Sequence, residues 1–276
     1  MKHTIDCGVN YVTVDTIEGL HKFVGYISEN FGAFYRGQRD AEWGLETTLD
    51  RYVRKLDKRI STKSTYSELI QNFRRSLRCK HEFQNSEINE DDLWSLGQHY
   101  GLATPLLDWT SAFFIALFFA FEDEMAPPKN YRCVWGIHQC IFLDMEKYSK
   151  GLDKFDEIKK IDPLTNDNMR LISQSGVFTK QPIGFDIESW VKGNYANEKK
   201  RPVMYKVMIS EKLRRNILSL LEMMNISYLT IFPDVIGAAK YSMHKLSLMN
   251  NKVKAMNNTA LYNHVDYKFN TNINDV

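Results

Sequence analysis

Apolar residues along this chain change period several times, and each change marks an element. Tyr11 to Val14 reads as an opening strand. Asp15 and Thr16 then offer capping oxygens to a helix whose Ile17, Leu20, Val24 and Ile27 share one face. Phe34 and Tyr35 begin a short aromatic strand that ends at Arg36-Gly37-Gln38, and Trp43, Leu45 and Leu49 follow in a loop or short turn. The charged stretch Arg51 to Glu87 is helical in pieces, with Tyr66, Leu69, Ile70 and Phe73 as its buried stripe.

Asn89 is placed to cap a further helix, with Asp91 and Asp92 favourable to its dipole and Leu93 and Leu96 pointing inward. Thr104 to Ser111 reads as a strand ending in a turn, with Thr110 or Ser111 capping the next helix. That helix, Ala112 to Glu122, is apolar all round and is expected to be buried. Tyr131 to Ile137 and Cys140 to Leu143 look like the two strands of a hairpin. Met145 to Asn168, polar and lysine-rich, reads as a loop or insertion. Val203 to Ile209 predicts a strand, Lys212 to Asn225 an amphipathic helix, and Ile226 to Phe232 another strand. Asp234 then caps a helix running to about Met249.

Helices and strands interleave irregularly, without βαβ alternation and without a Gly-rich phosphate loop. The expected fold is therefore α+β, a mixed and largely antiparallel central sheet with flanking helices. Residues 1–249 are read as a single domain and 250–276 as a polar, Asn-rich tail.

Composition sharpens this picture in a few places. A chain of 276 residues with 43 % hydrophobic and 13 % aromatic content can bury a large core. The formal charge of +2 argues against a high-affinity coat for duplex nucleic acid, but leaves room for a local basic groove. Cys7, Cys79, Cys133 and Cys140 lack zinc-ligand spacing, so no metal site is expected, and their scatter suits free thiols in a reducing cytoplasm. The N-terminus shows no signal peptide. The longest apolar run, Phe113 to Phe121, is about half of the roughly 20 residues that a membrane span needs.

Four segments carry candidate chemistry. Arg36 ends an aromatic strand, where its guanidinium suits a phosphate or carboxylate, and Gly37 beside it adds no bulk against an approaching ligand. A salt bridge to a nearby acid is the alternative use of Arg36. In Gln98-His99-Tyr100-Gly101, His99 is a base, a ribose contact or a satisfied structural histidine. Asp108, between Leu107 and Trp109, must be paired: it caps the following helix, or it fixes Arg36 or His99 while Trp109 and Thr110 line a pocket. Gln174, next to Ser175-Gly176, either orients a substrate or sits in a plain turn.

Taken in order, these motifs resemble the FRG domain family. Its pattern is matched by Tyr35-Arg36-Gly37-Gln38, Trp43, Leu45, Arg51, Gln98-His99-Tyr100-Gly101 and Thr104-Pro105-Leu106-Leu107-Asp108-Trp109-Thr110. Ala116-Leu117-Phe118-Phe119-Ala120, Gln174-Ser175-Gly176-Val177-Phe178 and Phe232-Pro233-Asp234 complete it, over about Val14 to Leu246. One departure is Pro105-Leu106, where relatives usually carry an Arg before Leu-Leu-Asp.

The resemblance implies a component of bacterial defence or toxin–antitoxin loci. The Tyr-Arg-Gly strand is also similar to the first motif of ADP-ribosyltransferases, which implies an ADP-ribosyltransferase-like core with Arg36, Thr110 and Gln174 at its three key positions. The implied function is a cytoplasmic NAD-dependent ADP-ribosyltransferase, a toxin or anti-phage effector with NAD as substrate. Its acceptor is RNA, or protein, and its neutralising partner is an antitoxin docking on the tail or on the Met145 to Asn168 segment. In that reading Arg36 holds pyrophosphate or ribose. Gly37 and Gln38 complete the contact, and Tyr35, Tyr100 or Trp109 stacks on nicotinamide. His99 touches a ribose hydroxyl, Asp108 orients Arg36 or His99, and Gln174, Asp108 or Glu122 meets the acceptor. A basic groove is expected from Phe73 to Lys80 with Lys199, Lys200 and Arg201. The competing readings are a ribonuclease that uses His99 and Arg36 without cofactor, and a non-catalytic sensor of a nucleotide or phage protein.

Overall fold

Most of the strand-forming segments gather into one sheet because they carry apolar residues that only a shared core satisfies. The computed structural model describes residues 1–30, 33–80, 88–162, 173–198 and 200–258. In chain order the elements begin with β1 (Lys2–Asp6), β2 (Val9–Val14), α1 (Ile17–Asn30), β3 (Ala33–Gln38), α2 (Thr48–Val53), α3 (Thr62–Leu77) and α4 (Glu90–His99). They continue with β4 (Leu106–Thr110), α5 (Phe113–Phe121), β5 (Tyr131–His138), α6 (Gln139–Ser149), β6 (Lys159–Ile161), β7 (Gly176–Lys180) and α7 (Ile187–Asn194). After β8 (Met204–Ser210) come a 3₁₀ turn at Glu211–Leu213, α8 (Arg214–Met223), α9 (Tyr228–Ile231) and α10 (Val235–Asn258).

The eight strands run in the order β1-β2-β8-β5-β3-β4-β7-β6. Neighbours are antiparallel except for the parallel pair β2–β8, so the α+β class and the mixed, largely antiparallel sheet hold. Two of the apolar clusters among the described residues line the sheet. One joins Trp109, Trp135, Ile137 and Val177 to Ile141, Phe142 and Met145 of α6 and to Ile187 and Val191 of α7. The other joins Leu106 and Phe178 to Leu49, Tyr66, Ile70, Leu93 and Trp94 from α2, α3 and α4.

Most caps placed by the sequence recur. Thr16 Oγ1 accepts from the Gly19 N–H at 3.1 Å, and Asn89 Oδ1 from the Asp92 N–H at 2.9 Å. The helix α5 instead starts from Ala112 without the side-chain cap expected of Thr110 or Ser111. Three further expectations change. Cys140 to Leu143 is not a strand but the first turns of α6. His138 accepts from the Cys140 N–H at the helix start, and Ile141, Phe142, Met145 and Ser149 bury one helical face. The same helix takes in Met145 to Ser149, and β6 follows, so the described part of the expected insertion is built into the fold; 163–168 lie outside the described residues. Ile226 to Phe232 contains the short helix α9 rather than a strand, because Tyr228, Ile231 and Phe232 fall on one helical face. The strand β1 and the helix α7 were not foreseen.

The chain divides into two compact units, Met1–Ser227 and Tyr228–Val276. The first holds the whole sheet. In the second, α9 packs on α10: Tyr228 stacks on Phe232 with ring centroids 6.2 Å apart and meets His244 at 5.7 Å, with Lys240 over both aromatic rings. Asp234 caps α10 through the Gly237 N–H at 2.9 Å, as expected, and the helix runs past Met249 to Asn258, into the segment read as tail.

Candidate functional site

The junction of β3 and β4 organises the site. Six residue pairs join β3 to β5, from Ala33 opposite His138 to Gln38 opposite Cys133, but a single pair, Tyr35 opposite Thr110, joins β3 to β4. Arg36 takes up what that short ladder leaves open. Its Nη1 donates to the Asp108 carbonyl at 2.9 Å and to Asp108 Oδ2 at 3.2 Å. The arginine side chain is 17 % exposed and the aspartate 59 %, so this pair sits at a surface and contributes at most about 1 kcal/mol of stability. Its use is orientation.

Asp108 is held from its other side. Gln98, in the last turn of α4, donates from Nε2 to Asp108 Oδ1 at 2.6 Å and accepts at Oε1 from the Thr104 hydroxyl. Thr104 is fully buried. Its N–H donates to Thr48 Oγ1 at 2.8 Å, and its carbonyl accepts from the Thr48 hydroxyl at 3.2 Å. A continuous polar chain thus runs from Arg36 through Asp108, Gln98 and Thr104 to the start of α2. One turn further on, Arg51 donates to the Glu46 carbonyl at 3.0 Å. Burial, and then the charge of Arg36, lower the Arg51 pKa from its ordinary value.

The three positions compared with the transferase motif adjoin one another. Tyr35, next to Arg36, pairs with Thr110, and the Thr110 hydroxyl donates to the Gln174 carbonyl at 2.7 Å. Thr110 Oγ1 also accepts from the Ala112 N–H at 3.1 Å, and the Ser111 N–H donates to the Ser175 carbonyl at 3.1 Å. The turn before β7 places Ser175 at φ 47°, a left-handed conformation rare for a residue with a side chain.

Several other candidates are given to the core. Tyr35 is buried edge-on to Phe113 with ring centroids 5.4 Å apart, and burial pushes its phenol up to about 12. Trp109 is buried against Phe142 and donates from Nε1 to Thr179 Oγ1 at 2.9 Å. Gln38 spends both ends of its amide, on the Gly44 carbonyl at 3.0 Å and on the Trp135 indole N–H at 2.8 Å. At Gly37 the space a side chain would fill belongs to α5: a Cβ there would lie 1.9 Å from the Ala116 carbonyl oxygen. That glycine serves helix–strand contact rather than ligand access. Tyr100 is 69 % exposed, with its ring 4.9 Å from that of His99 and perpendicular to it. Glu122 caps the C-terminus of α5, where its carbonyl accepts from Arg214. In the basic stretch at the end of α3, Arg74 is turned to the Ile88 carbonyl at 2.7 Å; Lys199 lies outside the described residues.

The sequence motifs contained Gln98, Thr104 and Arg51 without assigning them a role. Their place in the family pattern was the available signal. Residues 32–129 match the FRG domain family. The chain carries an FRG domain. The matched segment holds Arg36, Arg51, Gln98, Thr104, Asp108 and Thr110, and ends before β5, so it is shorter than the motif series and omits Gln174. No curated protein and no solved structure matches the chain. Among the described residues, no cluster of His, Cys, Asp and Glu is placed to hold a metal ion, and no helix is long and apolar enough to cross a membrane.

Proposed function

We propose that the FRG site takes NAD as substrate and transfers ADP-ribose to an acceptor, RNA foremost and protein otherwise. The observation that carries this reading is the adjacency of Arg36, Thr110 and Gln174 through the Tyr35–Thr110 pair and the Thr110–Gln174 hydrogen bond. An oxygen or nitrogen of the acceptor attacks C1′ of the nicotinamide ribose. The bond to nicotinamide breaks, nicotinamide leaves with the electron pair, and the acceptor loses a proton. Such a reaction needs positioning and charge stabilisation more than a protein nucleophile. Arg36, fixed by Asp108, holds the anionic part of the substrate. The Asp108 carboxylate, the exposed acid of the network, receives the acceptor's proton. His99 touches a ribose hydroxyl, and Gln174 meets the acceptor. The core is read as ADP-ribosyltransferase-like in the placing of these residues.

An activity that consumes NAD or blocks RNA would harm its host cell, so the reading includes a toxin or anti-phage role in the cytoplasm and a neutralising antitoxin. The test incubates purified protein with NAD labelled on the adenylate phosphate and with separate pools of RNA, DNA and protein. Label is expected in the RNA pool, and lost with Arg36→Ala in a folded protein. Transfer to no pool overturns the proposal, and RNA cleavage without NAD replaces it with the ribonuclease.

A further inference from the structure

The surroundings of Arg36 go further, to the kind of group the site receives; this step rests on the nucleotide reading above. Arg36 uses one nitrogen, Nη1, for both contacts to Asp108, and its Nε is buried with no hydrogen-bond partner. A buried guanidinium N–H without an acceptor is costly, so the site is shaped for an acceptor atom that the protein does not supply.

Arg51 is exposed on α2, the helix that the Thr48–Thr104–Gln98–Asp108 chain ties to Arg36, and the Arg36 charge weighs against its own. The two acids whose charges bear on it, Asp50 and Glu46, are engaged elsewhere. Asp50 accepts from the Thr47 N–H and hydroxyl, both at 2.8 Å, and from the Gly184 N–H at 2.7 Å. The Glu46 carboxylate pairs with Arg54, leaving Arg51 its backbone carbonyl. The buried Arg36 Nε therefore lacks an acceptor, while Arg51, exposed on another element, has its hydrogen bond from a backbone carbonyl and not from either of these acids. The elements that carry the two arginines are tied together: the Leu49 N–H donates to the Thr104 carbonyl at 3.1 Å, and Gln98 ties Thr104 to Asp108.

We propose that Arg36 and Arg51 are the two arms of a receptor for the pyrophosphate of a nucleotide, Arg51 being the second arm. A single carboxylate would gain little here, because Asp108 already offers that charge to Arg36. A pyrophosphate brings more charge and enough oxygens to meet two planar guanidinium forks and the buried Nε.

The test is titration calorimetry of the full chain with inorganic pyrophosphate at low ionic strength. The unmodified protein is expected to bind. Arg51→Ala weakens binding about ten-fold or more at unchanged circular dichroism and Tm. Arg51→Lys falls between, since it keeps the charge and loses the fork. Arg59→Ala, which removes an exposed arginine paired with Asp57, binds as the unmodified protein does. The proposal is overturned if the unmodified protein does not bind, if Arg51→Ala binds equally well, or if Arg59→Ala loses as much, which would mark diffuse surface charge. Should Arg51→Ala not fold, Arg51→Gln, closer in length, gives the same decision. Pyrophosphate binding that needs both arginines, without transfer of label from NAD, keeps the receptor and removes the transferase. Transfer undiminished in Arg51→Ala does the reverse.

Discussion

At the scale of the residue, neighbours in sequence have separate duties. Gly37 sits beside the candidate ligand arm yet is required by the helix behind it, since any Cβ meets the backbone of Ala116 and Ala120. Gly37→Ala is accordingly expected to cost about 3 kcal/mol or more, as overpacking against backbone does. In a chain of this size each kcal/mol lowers Tm by about 2–4 °C, which differential scanning calorimetry would read. An unchanged Tm would show that α5 can move away from β3. Gln98 has the opposite character, because its amide serves orientation. Gln98→Glu sets a second carboxylate against Asp108, so Arg36 should lose its fixed pose and the proposed transfer of label from NAD should fall while Tm changes little; measuring both on the same sample decides it. The thiols divide in the same way. Cys133 is fully buried and burial pushes it up to about 12, whereas Cys79 is exposed. Cys133 should therefore resist alkylation at pH 8 until the chain unfolds, while Cys79 reacts at once, as mass spectrometry of iodoacetamide-treated protein would show.

At the scale of the element, polar anchors hold pieces that apolar patterning alone leaves loose. Arg132 in β5 is completely buried: it donates to the Ala120 carbonyl at 2.8 Å and the Met125 carbonyl at 3.1 Å, and pairs with Glu211. This ties the end of α5 to β5 and to the turn before α8. Glu211→Ala strands the Arg132 charge and is expected to cost about 3–5 kcal/mol, measured by urea unfolding; a loss under about 1 kcal/mol would mean that the two carbonyls suffice. Such anchors were hidden in the sequence, where Arg132 stood in a strand read by its apolar neighbours. The reading succeeded where burial is one-sided and caps are present, as in α1, α4 and β4. It failed at β1, a mostly exposed edge strand with the polar sequence Lys2 to Asp6, because an edge held mainly by backbone pairing leaves no hydrophobic alternation. It failed at α6 and α9 because short apolar runs fit strand and helix alike, and side-chain caps or single-turn contacts decide between them.

At the scale of the whole molecule, the candidate site belongs to one unit. Arg36, Arg51, Gln98, Asp108, Thr110 and Gln174 all fall within Met1–Ser227, together with every strand of the sheet. The motifs were legible because their residue types are unusual in an apolar setting. The network linking them was not, because Thr48, Thr104 and Gln98 meet through chain separations of up to 56 residues that no local pattern encodes. The second unit, Tyr228–Val276, has its own packing of α9 on α10. A chain ending at Ser227 should therefore fold and keep pyrophosphate binding within about two-fold, since neither the sheet nor the two arginines lose a covalent neighbour. Calorimetric titration and thermal denaturation of that shortened chain would check this. If it folds cooperatively and binds as the full chain does, the chemistry resides in the sheet-bearing unit and α10 is free to serve another task, such as contact with a neutralising partner. If it folds but loses pyrophosphate, the second unit supplies part of the receptor, and the two-arginine account is incomplete. If it fails to fold, the division into units is one of contact density alone, and α9 and α10 are part of the stability of the sheet.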